Sequence, residues 1–449
     1  MPLAIIIAFI ALVDILHTAD AQPSPHSKGR WNFTAPGLDA KGSFTQTKLD
    51  IELPNGKIKT FHRVGARAKQ SWHGEDTKGL SMNVLARTFP NVGRIVVGSL
   101  VDGDSVYKIG QDANGDTFIE EFQNLPDEAE PVDNHQSGTG TGDYDTKLDT
   151  TTAAEATIEG GNIIIDIILV WTDNAECRNS GLSRNCSLTA QTTANMEARL
   201  NLAIEETNTA YALLSDINAR LRLVHAYRHL DYVEASSDAF SSALYAMQNP
   251  SDGIMDDVHS VRTDYGADLV ALIIDDRQYC GIGYVGPSKS YGFSVTAWNC
   301  ATGYYSFAHE VGHNLGYNHD IGTSNACGTT DFNYGYRDPQ AGFRTILAYN
   351  CQMGQCDSMP KSGCSRTQRF SNPNQITSTG SPWGATNANN VQHINNVAAA
   401  VSGWYPPATT GESPRPQLPP QRVLLMRIVT FVAGPHVRMA NVQLLHQRH

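Results

Sequence analysis

The stretch from Phe307 to Asp320 reads Phe-Ala-His-Glu-Val-Gly-His-Asn-Leu-Gly-Tyr-Asn-His-Asp, and it carries most of the information about the fold. His309 and His313 are four residues apart, so on an α-helix their imidazoles lie on one face, one turn apart. Gly316 follows, and glycine readily adopts the left-handed conformation that ends a helix. The chain can then turn back and bring His319 toward the other two histidines.

Three histidines in this pattern predict a site for one catalytic Zn²⁺ ion, with His309, His313 and His319 as ligands. Three neutral imidazoles leave a fourth position for water, which is typical of a catalytic site rather than a closed structural one. Glu310 lies one step around the helix, where it can reach that water as a general base. Two other interpretations stay open: three unrelated surface histidines, and a zinc site without catalysis.

Length and charge restrict the class of protein. The 449 residues, 41% of them hydrophobic, are enough for two or three domains with sizeable cores. The formal net charge of −12 argues against a nucleic-acid-binding protein, because such proteins usually have a basic face. An acidic, soluble surface is the simpler interpretation.

The N-terminus is typical of an exported protein. The apolar run from Leu3 to Val13 is too short to cross a bilayer as a helix, which needs ~20 residues. Ala19 and Ala21 give the small-residue pattern of a signal-peptidase site, although no Lys or Arg precedes the run. We therefore expect residues 1–21 to be a signal peptide, and the protein to be secreted and extracellular, without a stable membrane span.

Cysteine usage agrees with export. All eight cysteines lie between Cys177 and Cys364, and an even number confined to one segment predicts disulfides. Eight cysteines allow about 105 pairings, so most pairs stay unassigned. Cys177 with Cys186 is the one pair that we expect, because the loop between them is short.

Two regions differ in composition. Residues 22–155 contain β-prone runs at Arg94–Val101, Ser105–Ile109 and Thr117–Phe122, with a hairpin turn expected at Asn114-Gly115. A Gly/Thr-rich stretch ends this region and is typical of an exposed linker. Residues 156–405 alternate strands with helices, which predicts an α/β fold. Residues 406–449 form a Pro-rich and basic tail, which is expected to be disordered.

The α/β prediction depends on particular segments. The predicted strands are 163–171, 219–227, 268–274 and an edge strand at 294–298, and the predicted helices are 193–214, 238–247, 256–265 and 388–401.

The extended histidine motif resembles that of the metzincin zinc metallopeptidases. Asp320, after the third histidine, resembles the reprolysin (adamalysin) branch. Residues 342–351 resemble the Met-turn segment of that family. Arg369–Pro373, followed by Ala388–Asn390, is similar to secreted reprolysin-like and peptidyl-Asp metallopeptidases. The resemblance covers about residues 160–405.

The resemblance implies a metzincin-type catalytic domain over 156–405, with a twisted mixed sheet, an active-site helix and a loop-rich, disulfide-bonded lower subdomain. It implies a secreted zinc endopeptidase that acts on proteins or peptides with Glu310 as base. Substrate would lie extended along the sheet edge near Ser294–Trp298. The β-rich region 22–155 would be a prodomain, with a stable companion domain as the alternative. The resemblance also implies latency, which many members of the family achieve with a prodomain cysteine at the open position of the zinc. No cysteine precedes Cys177 here, so latency would need another group or steric cover.

Some positions carry narrower expectations. Leu347 stands where the family has the Met-turn methionine, and the similar volume of the two side chains predicts an intact site. Tyr349 either assists catalysis near the zinc or is a packed core tyrosine. Asp320 either anchors the turn or orients a ligand. Arg344 is a candidate for the basic residue of a pocket that receives an acidic side chain after the cut.

Two competing functions remain open from the sequence. One is a secreted binding or adhesion protein on a catalytically silent metzincin scaffold, although Glu310 and the ligands are all retained here. The other is a zinc hydrolase that acts on a non-peptide bond.

Overall fold

The structure, a computed structural model, describes residues 27–33, 43–65, 70–133, 156–235, 237–351, 356 and 363–407. The expected signal peptide, most of the expected linker and nearly all of the tail lie outside these residues. All described residues belong to one compact unit. Within the described part of the chain, no helix has the length and apolar character that a bilayer crossing requires.

The N-terminal region is an eight-stranded sheet in the order β1-β8-β7-β6-β5-β4-β3-β2, and every neighbouring pair is antiparallel. The predicted hairpin is confirmed: Gly115 has a φ of +90°, and the Asp112 carboxylate accepts from the backbone N–H of Asn114 at 2.8 Å. The strands are β1 Ser27–Asn32, β2 Lys48–Glu52, β3 Ile58–Arg63, β4 Ser71–Glu75, β5 Ser81–Phe89, β6 Gly93–Asp102, β7 Ser105–Gln111 and β8 Thr117–Gln123.

A second, seven-stranded sheet is mixed, which agrees with the expected α/β class. Its strands β11, β12, β13 and β15 are parallel, β14 runs antiparallel to β15, and β9 pairs parallel with β14. Central parallel strands are covered on both faces, which explains the continuous apolar run of β11. The strands are β9 Val132–Asp133, β10 Ile158–Glu159, β11 Asn162–Trp171, β12 Ala219–Arg228, β13 Leu269–Ile274, β14 Gly281–Val285 and β15 Phe293–Ala297.

Helices cover both faces of this sheet. Alternate residues of β11 and β13 contribute to two separate cores, one shared with α2, α5 and α6 and the other with α3. The predicted helix 193–214 starts earlier, at a Thr189 capping box, and passes into a π-helix over its last turns. The helices are α1 Asp173–Asn179, α2 Ala190–Asn208, α3 Ala239–Gln248, α4 Asp257–Asp264, α5 Ser306–Asn314 and α6 Asn390–Val401, with the π-helix at Thr209–Ser215 and a 3₁₀ turn at Lys289–Tyr291.

The predicted edge strand at 294–298 is wrong in its position. That segment forms β15, which lies between β13 and β14, and among the described strands only the two-residue β9 pairs with the outer side of β14. The sequence of β14 is Gly-Ile-Gly-Tyr-Val, and its two glycines weaken the strand signal. The Cys280–Cys300 disulfide joins the start of β14 to the chain just after β15.

The four disulfides are Cys177–Cys186, as expected, Cys280–Cys300, Cys327–Cys356 and Cys351–Cys364. Between α5 and α6 the described residues form short strands only. These are β16 Asn318–Asp320, β17 Tyr334–Gly335, β18 Arg337–Asp338, β19 Phe343–Arg344, β20 Ser365–Arg366, β21 Asn372–Ile376 and β22 Pro382–Trp383.

Helix α2 lies between the two sheets. One side packs on β5 and β6 through Ala194, Ala198 and Leu202, and the other side joins the core beneath β11. The buried Arg199 of this helix donates to the Gly98 carbonyl at 3.1 Å and to the Ile109 carbonyl at 3.0 Å. Burial lowers the pKa of Arg199 to about 10, so the guanidinium stays charged at neutral pH. A buried charge therefore joins the N-terminal sheet to the second region.

We expect Arg199→Met to lower the free energy of unfolding by about 2–5 kcal/mol, because buried carbonyls would lose their donor. Urea unfolding of the full chain measures this change. The control Arg87→Met makes the same replacement at an exposed residue of β5 and should cost at most about 0.5 kcal/mol. Equal losses in the two variants would contradict the assigned role of Arg199.

Candidate metal centre

Helix α5 positions the first two histidines, as the sequence predicts. The Nε2 atoms of His309 and His313 lie 3.0 Å apart. The helix ends where expected: Gly316 has a φ of +90°, and its N–H donates to the His313 carbonyl at 2.8 Å. The chain turns back into β16, and His319 Nε2 lies 3.1 Å from both other Nε2 atoms.

The hydrogen bonds of the Nδ1 atoms determine which nitrogen of the His309 and His313 rings carries the hydrogen. His309 Nδ1 lies 2.8 Å from the Ile346 carbonyl, and His313 Nδ1 lies 2.7 Å from the Tyr317 carbonyl. A carbonyl can only accept, so each Nδ1 donates, and each Nε2 presents a lone pair. Burial lowers the pKa of His309 to about 3, so this imidazole is neutral at physiological pH.

This arrangement fits a metal ion. Converging Nε2 lone pairs within 3.1 Å repel one another unless a cation lies among them, and all three histidines are buried. Neutral imidazole nitrogens are ordinary ligands of Zn²⁺ and of related transition metals. His309, His313 and His319 are the residues that would hold the ion.

Glu310 lies against the edge strand. Neither carboxylate oxygen has a hydrogen-bond partner among the described residues, although the side chain is fully buried. The room for this side chain comes from two glycines of β14: a Cβ at Gly281 would lie 2.3 Å from Glu310 Oε1, and one at Gly283 would lie 3.1 Å from Oε2. Burial, together with the nearby Glu128, raises the pKa of Glu310 well above its usual value.

Leu347 packs beneath helix α5. The residue is fully buried, and its Cδ2 lies 3.1 Å from the point where a Cβ on Gly312 would stand. The preceding residue, Ile346, supplies the carbonyl that orients His309. Leucine therefore fills the space under the histidines without contributing a polar atom.

Asp320 anchors the turns around the site. Its carboxylate accepts from the N–H of Thr323 and of Tyr349, both at 3.1 Å, and it pairs with Arg337 at 3.1 Å. The first of the two roles considered from the sequence, anchoring the turn, is the one that these contacts describe. The Tyr349 ring centroid lies 4.2 Å from that of the His319 ring, with the rings tilted by 42°, and its hydroxyl donates to the Glu128 carbonyl. Burial raises the pKa of Tyr349 far above its usual value, so the phenol keeps its proton.

Two buried arginines beside the histidines hold carboxylates of the N-terminal region. Arg366 makes a bidentate contact with Glu128 at 2.6 and 2.7 Å, and Arg344 contacts Asp127 at 2.7 Å. Burial alone would raise the pKa of Glu128, but Arg366, with smaller contributions from His309 and Ser306, holds the pKa well below the usual range. Sequence reasoning named Arg344 and missed Arg366, Glu128 and Gly281. The acidic residues between positions 127 and 130 were the only local signal in the sequence that could have pointed to these contacts.

Comparisons with known proteins agree with this geometry. A model of the M12B reprolysin-like metallopeptidase family matches residues 178–380. The peptidyl-Asp metalloendopeptidase of Stenotrophomonas maltophilia strain R551-3 is 30% identical over 340 residues, which cover 74% of this chain and 72% of that protein. The chain belongs to the reprolysin-like metallopeptidase family. It is accordingly a metalloendopeptidase.

Two further peptidyl-Asp metalloendopeptidases are also similar to this chain. A peptidyl-Asp metalloendopeptidase of Xanthomonas campestris pv. campestris is 28% identical over 80% of this chain and 78% of its own length. A protein of the same name from Stenotrophomonas maltophilia strain K279a is 35% identical over 50% of this chain and 51% of its own. A solved chaperone–substrate complex matches 69% of this chain and 39% of its own chain, with a TM-score of 0.39 and 15% identity. This similarity is too weak to support a conclusion.

We expect Gly281→Ala to lower peptidase activity by about 100-fold without loss of bound metal, because a new methyl group would displace the Glu310 carboxylate. Peptide hydrolysis and metal content are measured on the same preparation. The control Gly363→Ala adds a methyl that meets only the Asp104 carboxylate, at 3.4 Å, and should leave both unchanged. Loss of metal together with activity in Gly281→Ala would contradict this explanation.

Proposed function

We propose that this metallopeptidase is a secreted zinc enzyme that cleaves internal peptide bonds, with His309, His313 and His319 holding the ion and Glu310 acting as general base. One observation carries the proposal: three buried Nε2 lone pairs converge within 3.1 Å, and the next residue of the helix after His309 is a buried carboxylate without a partner among the described residues. When bound, zinc supplies a Lewis acid that acidifies water and polarises a carbonyl.

The side chains of the site then have separate tasks. Glu310 accepts a proton from the attacking water and delivers it to the amide nitrogen that leaves. The hydroxyl of Tyr349 is protonated and already donates a hydrogen bond to the backbone carbonyl of Glu128. We assign Tyr349 as a donor to the substrate carbonyl as negative charge develops there.

The outer edge of β14 is the proposed peptide-binding edge, in place of the 294–298 segment. Backbone of the N-terminal region already uses it: the Ala129 N–H donates to the Gly281 carbonyl at 2.8 Å, and the Cys280 N–H donates to the Asp127 carbonyl at 3.3 Å. A substrate strand could form the same bonds, with its side chains directed into neighbouring pockets.

We further propose that cleavage occurs beside acidic residues. The relatives are named peptidyl-Asp metalloendopeptidases. In this chain, Arg344 and Arg366 are buried next to the histidines and both hold carboxylates, and bidentate arginine contacts suit that group. Arg344 and Arg366 would therefore form the floor of an acidic-residue pocket.

Glu310→Gln should abolish casein hydrolysis, by about 10⁴-fold or more, while zinc content is retained, because the base is lost and the ligands are not. A chelator should silence the unmodified enzyme, and added zinc should restore it. The protein is taken from culture medium after limited proteolysis, and its N-terminus before proteolysis is expected just after Ala21. If the unmodified, zinc-loaded protein does not hydrolyse casein, the result would instead favour a binding protein on a peptidase scaffold.

Arg366→Gln and Arg344→Gln should each lower kcat/KM by about 100-fold for peptides with Asp after the cut, because a buried carboxylate loses its charged partner. The loss for matched Asn peptides should be much smaller. Arg369→Gln is the control, since Arg369 pairs with Glu75 of the N-terminal sheet. A cleavage profile without acidic preference in the unmodified enzyme would contradict the pocket.

A further inference from the structure

We propose that residues 127–133, which we name the acidic segment, keep the full chain latent by occupying the peptide-binding edge and the acidic-residue pocket. The inference rests on the proposed function, because latency has meaning only for an active peptidase. It identifies the group that replaces the absent prodomain cysteine, since no cysteine precedes Cys177.

The backbone of the acidic segment follows the edge strand along its whole length. Asp127 and Ala129 exchange backbone hydrogen bonds with Cys280 and Gly281, and β9 continues the contact by pairing parallel with Tyr284 and Val285. These bonds use the outward N–H and C=O groups of β14, and no other described strand pairs with that edge. A substrate strand cannot add to β14 while the acidic segment is bound there.

The side chain of Glu128 fills the pocket beside the first histidine. Its carboxylate meets Arg366 at 2.6 and 2.7 Å, accepts from the Ser306 hydroxyl, and lies 3.7 Å from His309 Nδ1. The side chain is completely buried. This buried contact between a carboxylate and an arginine is the same contact that an acidic side chain of a substrate would make in the proposed pocket.

Neighbouring contacts of the acidic segment reach Tyr349 and the outer, Nδ1 side of the third histidine. The Glu128 carbonyl accepts a hydrogen bond from the Tyr349 hydroxyl, and Glu130 Oε2 lies 3.5 Å from His319 Nδ1. Asp127 engages Arg344, the second pocket arginine, at 2.7 Å. The acidic segment thus occupies groups that we assign to substrate binding and to carbonyl activation, and its attachment to the N-terminal sheet keeps its effective concentration high.

The test uses the full chain, loaded with zinc, in the forms Glu128→Gln and Asp127→Asn. Asp127 is less buried, so its variant decides the question if Glu128→Gln does not fold. Glu75→Gln is the matched control: Glu75 also links the N-terminal sheet to an arginine of the second region, with both oxygens 2.8 Å from Arg369. Zinc content and thermal unfolding are recorded for each form.

Two readouts are measured before any proteolysis: binding of a fluorescent peptide hydroxamate, by anisotropy, and hydrolysis of a quenched peptide that contains Asp. We expect the apparent Kd for the hydroxamate to fall about tenfold or more in the two acidic-segment variants, because a competing occupant has been weakened. The hydrolysis rate should rise by a similar factor. The control should match the unmodified chain in both.

The outcomes separate the two proposals. Unchanged hydroxamate affinity in folded, zinc-loaded Glu128→Gln and Asp127→Asn would overturn the latency role of the acidic segment. An equal gain in Glu75→Gln would also overturn it, because loosening of the N-terminal sheet alone would then explain the effect. Tighter hydroxamate binding without any hydrolysis would support the acidic segment as occupant and would sink the proposed endopeptidase function.

Discussion

Three imidazole nitrogens held within 3.1 Å of one another are the constraint on which the rest of the site depends. Lone pairs at that distance repel, so the protein must fix each ring from outside. Backbone carbonyls hold two of the rings: the Tyr317 carbonyl, from the turn that ends the helix, holds His313, and the Ile346 carbonyl, 37 residues after His309, holds His309. The residue after Ile346, Leu347, is buried under the helix, where it packs as an apolar side chain against Gly312.

The same region shows how the fold accommodates a buried carboxyl group that has no ion-pair partner among the described residues. Glu310 could have been paired with one of the arginines nearby, but Arg344 and Arg366 are engaged by Asp127 and Glu128. Glycines in β14 provide space where any other residue would touch the carboxylate. Burial then acts on an unpaired group and raises its proton affinity, which is the property that a general base near neutral pH needs.

The N-terminal sheet is joined to the second region by charged groups as well as by apolar packing. Arg199 reaches carbonyls of β6 and β7, and Glu206 of the same helix, whose pKa burial raises to about 7, accepts from Ser99 of β6. Buried polar contacts of this kind require close geometric fit, because each unpaired group is costly. They hold the N-terminal sheet in one position, from which the acidic segment reaches β14.

The sequence by itself determined the features that depend on near neighbours. Helical periodicity placed His309, Glu310 and His313 together, glycine conformation placed the turn at Gly316, and apolar runs located β11 and β13. The tertiary structure decided which remote groups meet. Glu128 and Arg366 are 238 residues apart, the space around Glu310 depends on glycines in a different element, and β14 lies outside β15 because β15 pairs with β13 on its other side. Such contacts depend on the order of the strands in the sheet and on the packing of segments that are distant in sequence. No local pattern of residues encodes either of them.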